Sequence, residues 1–421
     1  MKQSGKKQVA AASVALSKQH QHLIQRMLAA PMSSSSVAPQ HARLQRDVSV
    51  QSPVTRVHFR DQCVHVKRDD VFHLAGNKMR KLHWFVAQDD EFYKDAHLFS
   101  FGGIQSNAML AIAQLAHAKR VPFTYFSRGL QLQGTTTMIA NESEGGCSLD
   151  LTAIARPYGN LALALELGMQ HIKLSSELYH ALAQTKDFSA LSEFADNIEN
   201  YEKRAVHIPQ GAAFEQAQQG LALLAHEINA YIASERLTHP EKLFSVVVPC
   251  GTGTTALYMA QHLDASVAKL YAVPCVGDAA YLEQQFEDLV QKDASLRALK
   301  YDSTLKLPTI LVPKRKSRFG RLWWPLYEIH HELLSATGIE FDLIYGAFAW
   351  HTMFDDATLP LLLGKTGQSS HNDDTHQEGN VGNADPTNSG EQELMYVHTG
   401  GVSGNATMLA RYSAKSATRR H

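Results

Sequence analysis

The stretch FHLAGNKMRKLHWF places three basic side chains, Lys78, Arg80 and Lys81, directly after a glycine and an asparagine. Glycine permits backbone conformations that bring the chain close to a ligand. A lysine whose pKa is lowered by burial or by neighbouring positive charge is a nucleophile toward carbonyl groups. The stretch therefore has two interpretations: the amines lie on the solvated face of an ordinary helix, or Lys78 is held for covalent chemistry.

Three glycine-rich junctions follow apolar runs and precede helical patterns. They are FSFGGIQSN, VVPCGTGTT and YVHTGGVSGN, at residues 99–107, 247–255 and 396–405. In an open parallel sheet such junctions lie at the carboxyl ends of the strands, where ligands bind. We therefore treat all three as candidate ligand-binding loops.

The middle junction is a candidate anion cradle formed by Gly251, Thr252, Gly253, Thr254 and Thr255. Successive amides and threonine hydroxyls at the start of a helix can bind phosphate oxygens. The loop is not a nucleotide P-loop, because the lysine of GxxxxGK[ST] is absent, and it does not match GxGxxG. A tight strand-to-helix turn capped by threonine is the alternative, and it is the commoner explanation for a lone glycine loop.

The first junction places Ser106 and Asn107 at the start of a predicted helix. Ser106 either caps that helix or binds a substrate carboxylate, since the unpaired amides and the helix dipole favour an anion. The junction does not contain the GxSxG pattern of a hydrolase nucleophile. A carboxylate-binding helix start is thus one of two open interpretations.

The elements that must position these residues alternate between short apolar runs and helical patterns. HLFSF precedes NAMLAIAQLAHAK and VPFTYFS, LFSVVVP precedes TTALYMAQHL and KLYAVP, and LMYVH precedes GNATMLARY. This alternation predicts an α/β fold with parallel sheets covered by helices on both faces. Residues 1–47 are predicted to be a disordered extension, although an alanine-valine run near its start faintly resembles a secretion signal. Residues 364–393 are predicted to be a disordered insertion, because Val381 is their only sizeable apolar side chain.

The composition excludes several classes of protein. The chain has 421 residues, 44% of them hydrophobic, and a formal charge of −1, which argues against a dedicated nucleic-acid binder. No apolar run reaches the roughly 20 residues that span a bilayer. The four cysteines, Cys63, Cys147, Cys250 and Cys275, form no CxxC pair. We therefore expect a cytoplasmic protein without disulfides that binds neither nucleic acid nor membrane.

Several of these stretches occur together in one family. VKRDD…GNKMRKL, FGGIQSN, GTGTT, DLIYG and HTGG appear in the order found in the pyridoxal-phosphate enzymes comprising 1-aminocyclopropane-1-carboxylate deaminase and D-cysteine desulfhydrase. The chain resembles this family from Ser52 to Tyr412, with 364–393 as an insertion. The resemblance implies the tryptophan synthase β-like fold (fold type II), in which two open parallel-sheet α/β domains enclose the active site.

The resemblance also implies domain boundaries and a cofactor site. Residues 48–82 and 201–421 would form the larger, cofactor-binding domain, and residues 83–200 the smaller one. The loop 251–255 would hold the phosphate of pyridoxal 5'-phosphate. Arg80 and Lys81 would either supply positive charge beside Lys78 or lie on the solvated face of their helix, and we favour the solvated face.

The remaining roles follow from the same matched positions. Lys78 corresponds to the lysine that carries the cofactor as a Schiff base, and Asn107 to the residue that hydrogen-bonds the ring hydroxyl. Ser106 corresponds to the contact with the substrate carboxylate, often described as the nucleophile of the deaminases. Tyr345 corresponds to the active-site tyrosine near the substrate. Thr399 falls where a side chain faces the ring nitrogen.

Three positions depart from the family pattern. Gly346 stands where the deaminases usually have a glutamate and the desulfhydrases a threonine, Ala108 replaces a glutamine or histidine, and Phe319 replaces a tyrosine. A carboxylate beside the ring nitrogen favours its protonated form and a stronger electron sink. Without that carboxylate, opening a cyclopropane is harder to support than eliminating a β-thiol.

The sequence thus predicts a homodimeric pyridoxal-phosphate enzyme that acts on a small amino acid. We expect D-cysteine desulfhydrase-like β-elimination giving a 2-oxo acid and ammonia, with 1-aminocyclopropane-1-carboxylate deamination as the alternative reaction. Two other classes stay open. One is a catalytically silent protein that binds pyridoxal phosphate or an amino acid, and the other is a nucleotide- or sugar-phosphate-binding α/β protein.

Overall fold

A computed structural model describes residues 51–128, 159–185, 204–316, 320–365 and 392–418. The predicted extension 1–47, most of the predicted insertion, Cys147 and Phe319 lie outside these residues. The predicted end of the insertion is wrong by two residues, because Gln392 and Glu393 begin a β-strand. Both are held by neighbouring side chains: Ser245 donates a hydrogen bond to Gln392 (2.9 Å), and Lys242 pairs with Glu393 (2.6 Å).

The strands of the described residues form one six-stranded and one four-stranded sheet. In chain order they are β1 (Val54–Phe59), β2 (Gln62–Arg68), β3 (Ala96–Phe101), β4 (Phe123–Ser127), β5 (Gln170–Lys173), β6 (Arg204–His207), β7 (Leu243–Cys250), β8 (Ala268–Pro274), β9 (Thr309–Ile310) and β10 (Gln392–His398). The larger sheet has the order β1-β2-β10-β7-β8-β9, and the smaller sheet has the order β5-β4-β3-β6.

The helices connect and cover these strands. They are α1 (Lys78–Lys81), α2 (His83–Ala87), α3 (Asp90–Tyr93), α4 (Asn107–Lys119), α5 (Asn160–Glu166), α6 (Ser176–Thr185), α7 (Ala217–Arg236), α8 (Thr254–His262), α9 (Ala279–Lys292), α10 (Ala294–Tyr301), α11 (Trp324–Thr337), α12 (Gly346–Met353), α13 (Thr358–Leu362) and α14 (Asn405–Thr418). Within the described residues, none of them combines the length and the apolar character needed to cross a membrane.

The predicted α/β alternation is confirmed. HLFSF lies in β3, NAMLAIAQLAHAK forms α4, and LFSVVVP lies in β7, immediately before the loop that leads into α8. Among the described strands, all pairs in the smaller sheet are parallel, and in the larger sheet only β1 and β2 pair antiparallel. The domain boundaries stay a prediction, and β6 pairs with β3 although it follows the predicted boundary at residue 200.

Helix α7 packs directly on the segment that contains Lys78. Its buried residues recur every three or four positions, which is typical of a helix with one apolar face; they are Ala217, Gly220, Leu221, Leu224, Ala225, Ile228 and Ile232. At the crossing, a Cβ atom added to Gly220 would lie 2.1 Å from the carbonyl oxygen of Arg80. Glycine therefore allows α7 to approach α1 closely.

We expect Gly220→Ala to lower the free energy of unfolding by about 1–3 kcal/mol, because the added methyl group meets backbone atoms that cannot rotate away. Urea denaturation of the variant and the parent measures the difference. Gln219→Ala, an exposed change on the same helix, is the control and should stay within about 0.5 kcal/mol of the parent. Equal stabilities for all three proteins would contradict the close crossing.

Candidate active site

Every residue predicted for the site lines one cavity of about 300 Å³, at the lower end of the range for small-molecule pockets. These residues follow β2, β3, β7 and β10 or lie beside α12, so the cavity has walls from both sheets. The predicted residues that line it are Lys78, Ser106, Asn107, Gly251, Thr252, Gly253, Thr254, Thr255, Tyr345 and Thr399.

Lys78 is half-buried and its side chain contributes to the cavity wall. Burial lowers its pKa to about 8, although the nearby Asp342 carboxylate acts in the opposite direction. A close backbone approach fixes the segment before it. Gly76 has φ +69°, and a Cβ atom there would lie 2.6 Å from the carbonyl oxygen of Thr399. That same oxygen accepts a hydrogen bond from the amide of Asn77 at 2.8 Å.

The prediction that Arg80 and Lys81 lie on a solvated helix face is wrong. Arg80 is 4% exposed and Lys81 5% exposed, because α7 covers the helix that contains them. Lys81 instead lines the cavity, and its ammonium group lies 3.2 Å from the carbonyl oxygen of Gly211 and 3.5 Å from the hydroxyl of Thr252. Burial, together with the charge of Lys78, lowers the pKa of Lys81 strongly.

Arg80 belongs to a buried ion network. Its guanidinium group donates to both carboxylate oxygens of Glu227, at 2.7 and 2.6 Å, and to Asp69 at 3.1 Å. Lys67 pairs with the same Glu227 at 2.6 Å. Burial alone would raise the pKa of Asp69, but the charge and hydrogen bonds of Arg80 outweigh it and hold that pKa below its usual range. Two cations and two anions thus compensate one another in the interior.

The ion network continues into the cavity wall through Asn77. Asp69 accepts a hydrogen bond from the side-chain amide of Asn77 at 3.0 Å. The side-chain oxygen of Asn77 accepts one from the hydroxyl of Thr255 at 3.1 Å. The residue before Lys78 is therefore joined to the last residue of the glycine–threonine loop.

The loop from Gly251 to Thr255 has the features of an anion cradle. Its last two residues form the start of α8, which begins at Thr254, so the unpaired amides of the first turn lie beside the cavity. Gly253 has φ +69°, and a Cβ atom there would lie 2.6 Å from the ring of Phe286. The hydroxyls of Thr252 and Thr254 are 2.9 Å apart.

Ser106 and Asn107 lie at the start of α4, which follows β3 of the smaller sheet. Ser106 caps α4, since its hydroxyl accepts a hydrogen bond from the amide of Met109 at 3.3 Å. It lines the cavity at the same time, so the capping role and the ligand role are compatible. Asn107 accepts a hydrogen bond from the side chain of Asn160 at 2.8 Å. A Cβ atom at Gly401 would lie only 1.9 Å from the amide nitrogen of Asn107, so Asn107 packs directly on that glycine.

Tyr345 lies above the cradle, and a buried carboxylate that the sequence did not single out fixes its backbone. Asp342 accepts hydrogen bonds from the amides of Tyr345 at 2.6 Å and Gly346 at 2.9 Å. A Cβ atom at Gly251 would lie 3.2 Å from the Tyr345 hydroxyl, and one at Gly346 would lie 3.0 Å from Asp342. Burial raises the pKa of Tyr345, so its hydroxyl stays protonated at neutral pH.

Other residues of the cavity wall were not singled out from the sequence. They include Gln105, Tyr179, Gln210, Cys250 and Tyr281. Burial raises the pKa of the Cys250 thiol to about 12. Gln105 and Cys250 lie in the glycine-rich junctions, which was the available signal, whereas Tyr179 and Tyr281 lie in helices with no such junction.

We expect Arg80→Met to lower the free energy of unfolding by about 3–5 kcal/mol, because it leaves the carboxylates of Asp69 and Glu227 buried without their shared partner. Arg60→Met is the matched control: Arg60 pairs with Glu332 at the surface, where loss of the pair should cost less than about 1 kcal/mol. Denaturant titration of both variants tests the difference, and similar losses would show that the buried network has no special importance.

Comparisons with known proteins support the fold. Neither a protein-family model nor a curated protein matches the sequence. Among solved structures, an ACC deaminase homologue has a TM-score of 0.59 and 17% sequence identity, with 88% of this chain and 98% of that chain covered. Cysteine synthase from Entamoeba histolytica has a TM-score of 0.50 and 12% identity, with 87% and 90% covered. At these identities the likeness establishes the fold and not the reaction. The chain has the tryptophan synthase β-like fold, fold type II, that its sequence motifs implied.

Proposed function

We propose that this protein is a pyridoxal-phosphate-dependent enzyme that acts on a small amino acid. The observation that carries the proposal is that one cavity contains both Lys78 and the anion cradle at residues 251–255. The pKa of Lys78 is lowered to about 8. Among the described lining residues, Lys78 and Lys81 are the basic ones, and none is acidic. Such a cavity suits a ligand with a phosphate, and a substrate with a carboxylate.

When bound, pyridoxal phosphate supplies an aldehyde that joins to an amine and a ring that withdraws electrons from the substrate α-carbon. Residues 251–255 would hold its phosphate, with the Lys81 amine beside Thr252 as a further hydrogen-bond donor. Asn107 would hydrogen-bond the ring hydroxyl, and Thr399 would face the ring nitrogen. These assignments fit the donor set, because amides, hydroxyls and amines line the wall and carboxylates do not.

The remaining residues would bind the substrate and move its proton. A neutral Lys78 amine can form a covalent bond to an aldehyde and, once released, accept the α-proton at Nζ. Ser106 and the first turn of α4 would bind the substrate carboxylate. Tyr345, with its backbone held by Asp342, would position the substrate above the cradle.

We further propose β-elimination from a D-cysteine-like substrate, giving a 2-oxo acid and ammonia. Gly346 supports this choice, because it puts no carboxylate at the position after Tyr345, and no described lining residue supplies one instead. Ring opening of 1-aminocyclopropane-1-carboxylate, the alternative, requires stronger electron withdrawal by the pyridine ring of the cofactor. The homodimer, the cytoplasmic location and the domain boundaries stay predictions.

A silent binding protein is the second candidate. Ala108 and Gly346 favour it, because neither places a polar side chain at positions where the family has one. Such a protein would bind the cofactor at Lys78 and turn over no amino acid.

Incubation with pyridoxal phosphate followed by borohydride should attach the cofactor irreversibly to Lys78. Peptide mass spectrometry should find the adduct in the parent and in Lys94→Ala, a control lysine with a 66% exposed side chain, and not in Lys78→Ala. The amine reacts only when neutral, so the labelling rate should rise with pH and reach half its maximum near pH 8. Labelling of another lysine, or a midpoint near pH 10, would contradict the assignment.

Assays of the loaded protein distinguish the candidate reactions. We expect D-cysteine to yield pyruvate, sulfide and ammonia, and 1-aminocyclopropane-1-carboxylate to yield no 2-oxo acid. Lys78→Ala should lose at least about 100-fold in rate, the usual contribution of a general base. Turnover of the cyclopropane alone would reverse the order of the two reactions. No product from any small amino acid, despite a label at Lys78, would favour the silent binder.

A further inference from the structure

Two tyrosines from different sheets line the same cavity. Tyr179 lies in α6, which follows β5 of the smaller sheet, and Tyr281 lies in the first turn of α9, which follows β8 of the larger sheet. Tyr281 is 38% exposed, and Tyr179 is half-buried. The cradle residues Gly253 and Thr254 are buried, so the two tyrosines lie toward the opening of the cavity.

Both rings are held by their surroundings. The amide of Tyr281 donates a hydrogen bond to the side chain of Asp278 at 3.0 Å, and Asp278 caps the start of α9. The Tyr281 ring lies over Gly277, which has φ +73°, and a Cβ atom on that glycine would lie 2.7 Å from the ring. The Tyr179 ring contacts Phe101 edge to face, with 6.3 Å between ring centroids. These contacts restrict the rings to the cavity wall.

The two hydroxyls are hydrogen-bond donors at neutral pH. Burial raises the pKa of both tyrosines, and the Tyr281 phenol raises the pKa of Tyr179 further. Both phenols line the same cavity, one from each side of the boundary between the two sheets. A ligand group between them would meet protonated hydroxyls, and no acidic side chain among the described lining residues competes for those donors.

We propose that Tyr179 and Tyr281 select amino acids whose side chain ends in a small uncharged hydrogen-bond acceptor, such as a hydroxyl or a thiol. This inference rests on the proposed function, because it takes the α-amine to lie near Lys78 and the carboxylate near Ser106. The side chain is then the part of the substrate left to face the tyrosines. A hydrocarbon side chain gains no hydrogen bond there.

Serine and alanine are the matched probes, because they differ by one hydroxyl. The cofactor-loaded full-length protein is mixed with each enantiomer, and the first change in cofactor absorbance gives the affinity before turnover. We expect the parent to bind serine of the preferred enantiomer about three- to tenfold more tightly than alanine, as one or two neutral hydrogen bonds allow. The Tyr179→Phe/Tyr281→Phe double variant should bind serine only as well as alanine, with its alanine affinity unchanged.

Tyr301→Phe is the control, since Tyr301 is 90% exposed and lies outside the cavity wall; it should keep the preference for serine. A double variant that keeps the preference, or that loses alanine affinity in parallel, would overturn the inference. So would a loaded parent that binds serine and alanine equally. Failure of the proposed function shows separately, as a parent protein that retains no pyridoxal phosphate after dialysis.

Discussion

The buried ion pairs of Arg80 with Asp69 and Glu227 are the constraint on which the cavity depends. Buried charges are stable only when their partners and hydrogen bonds are all in place. Arg80 is two residues from Lys78, Asp69 directly follows β2, and Glu227 lies in α7. The network therefore joins three elements and fixes the helix that begins with the proposed cofactor lysine. Through Asn77 and Thr255 the same network reaches the anion cradle, so the two halves of the proposed cofactor site cannot shift independently.

Much of the fold could be predicted because its signals are local. The apolar run and helical pattern around HLFSF and NAMLAIAQLAHAK are sufficient to place β3 and α4. The antiparallel pairing of β1 with β2 was not predicted. Its turn contains Arg60 and Asp61, which have φ values of 47° and 61°. Arginine seldom adopts this conformation, and the turn has no glycine, so it lacks the usual Asn-Gly or Asp-Gly hairpin signal.

Candidate-site residues in the glycine-rich junctions could be predicted from the sequence, whereas residues whose position depends on tertiary packing could not. The cradle and Ser106 each follow the carboxyl end of a parallel strand, where ligands bind, and the family resemblance placed both in one site. The solvated face proposed for Arg80 and Lys81 was wrong because the partner that covers them, α7, is more than a hundred residues away in sequence. Asp342 is a similar case. Its carboxylate matters because it accepts hydrogen bonds from backbone amides, and the sequence alone does not show which carboxylates do so.

The protonated state of the Cys250 thiol bears on how well the protein would resist inactivation by disulfides and oxidants. Its thiol lines the cavity, yet a pKa of about 12 leaves almost none of it ionised under physiological conditions. Exchange with disulfides such as cystine proceeds through the thiolate, and oxidation also follows thiolate character. An enzyme that acts on cysteine would thus be protected from disulfide formation between Cys250 and cystine, the oxidised form of its substrate. A cysteine can therefore stand in the cavity wall without making the enzyme prone to inactivation.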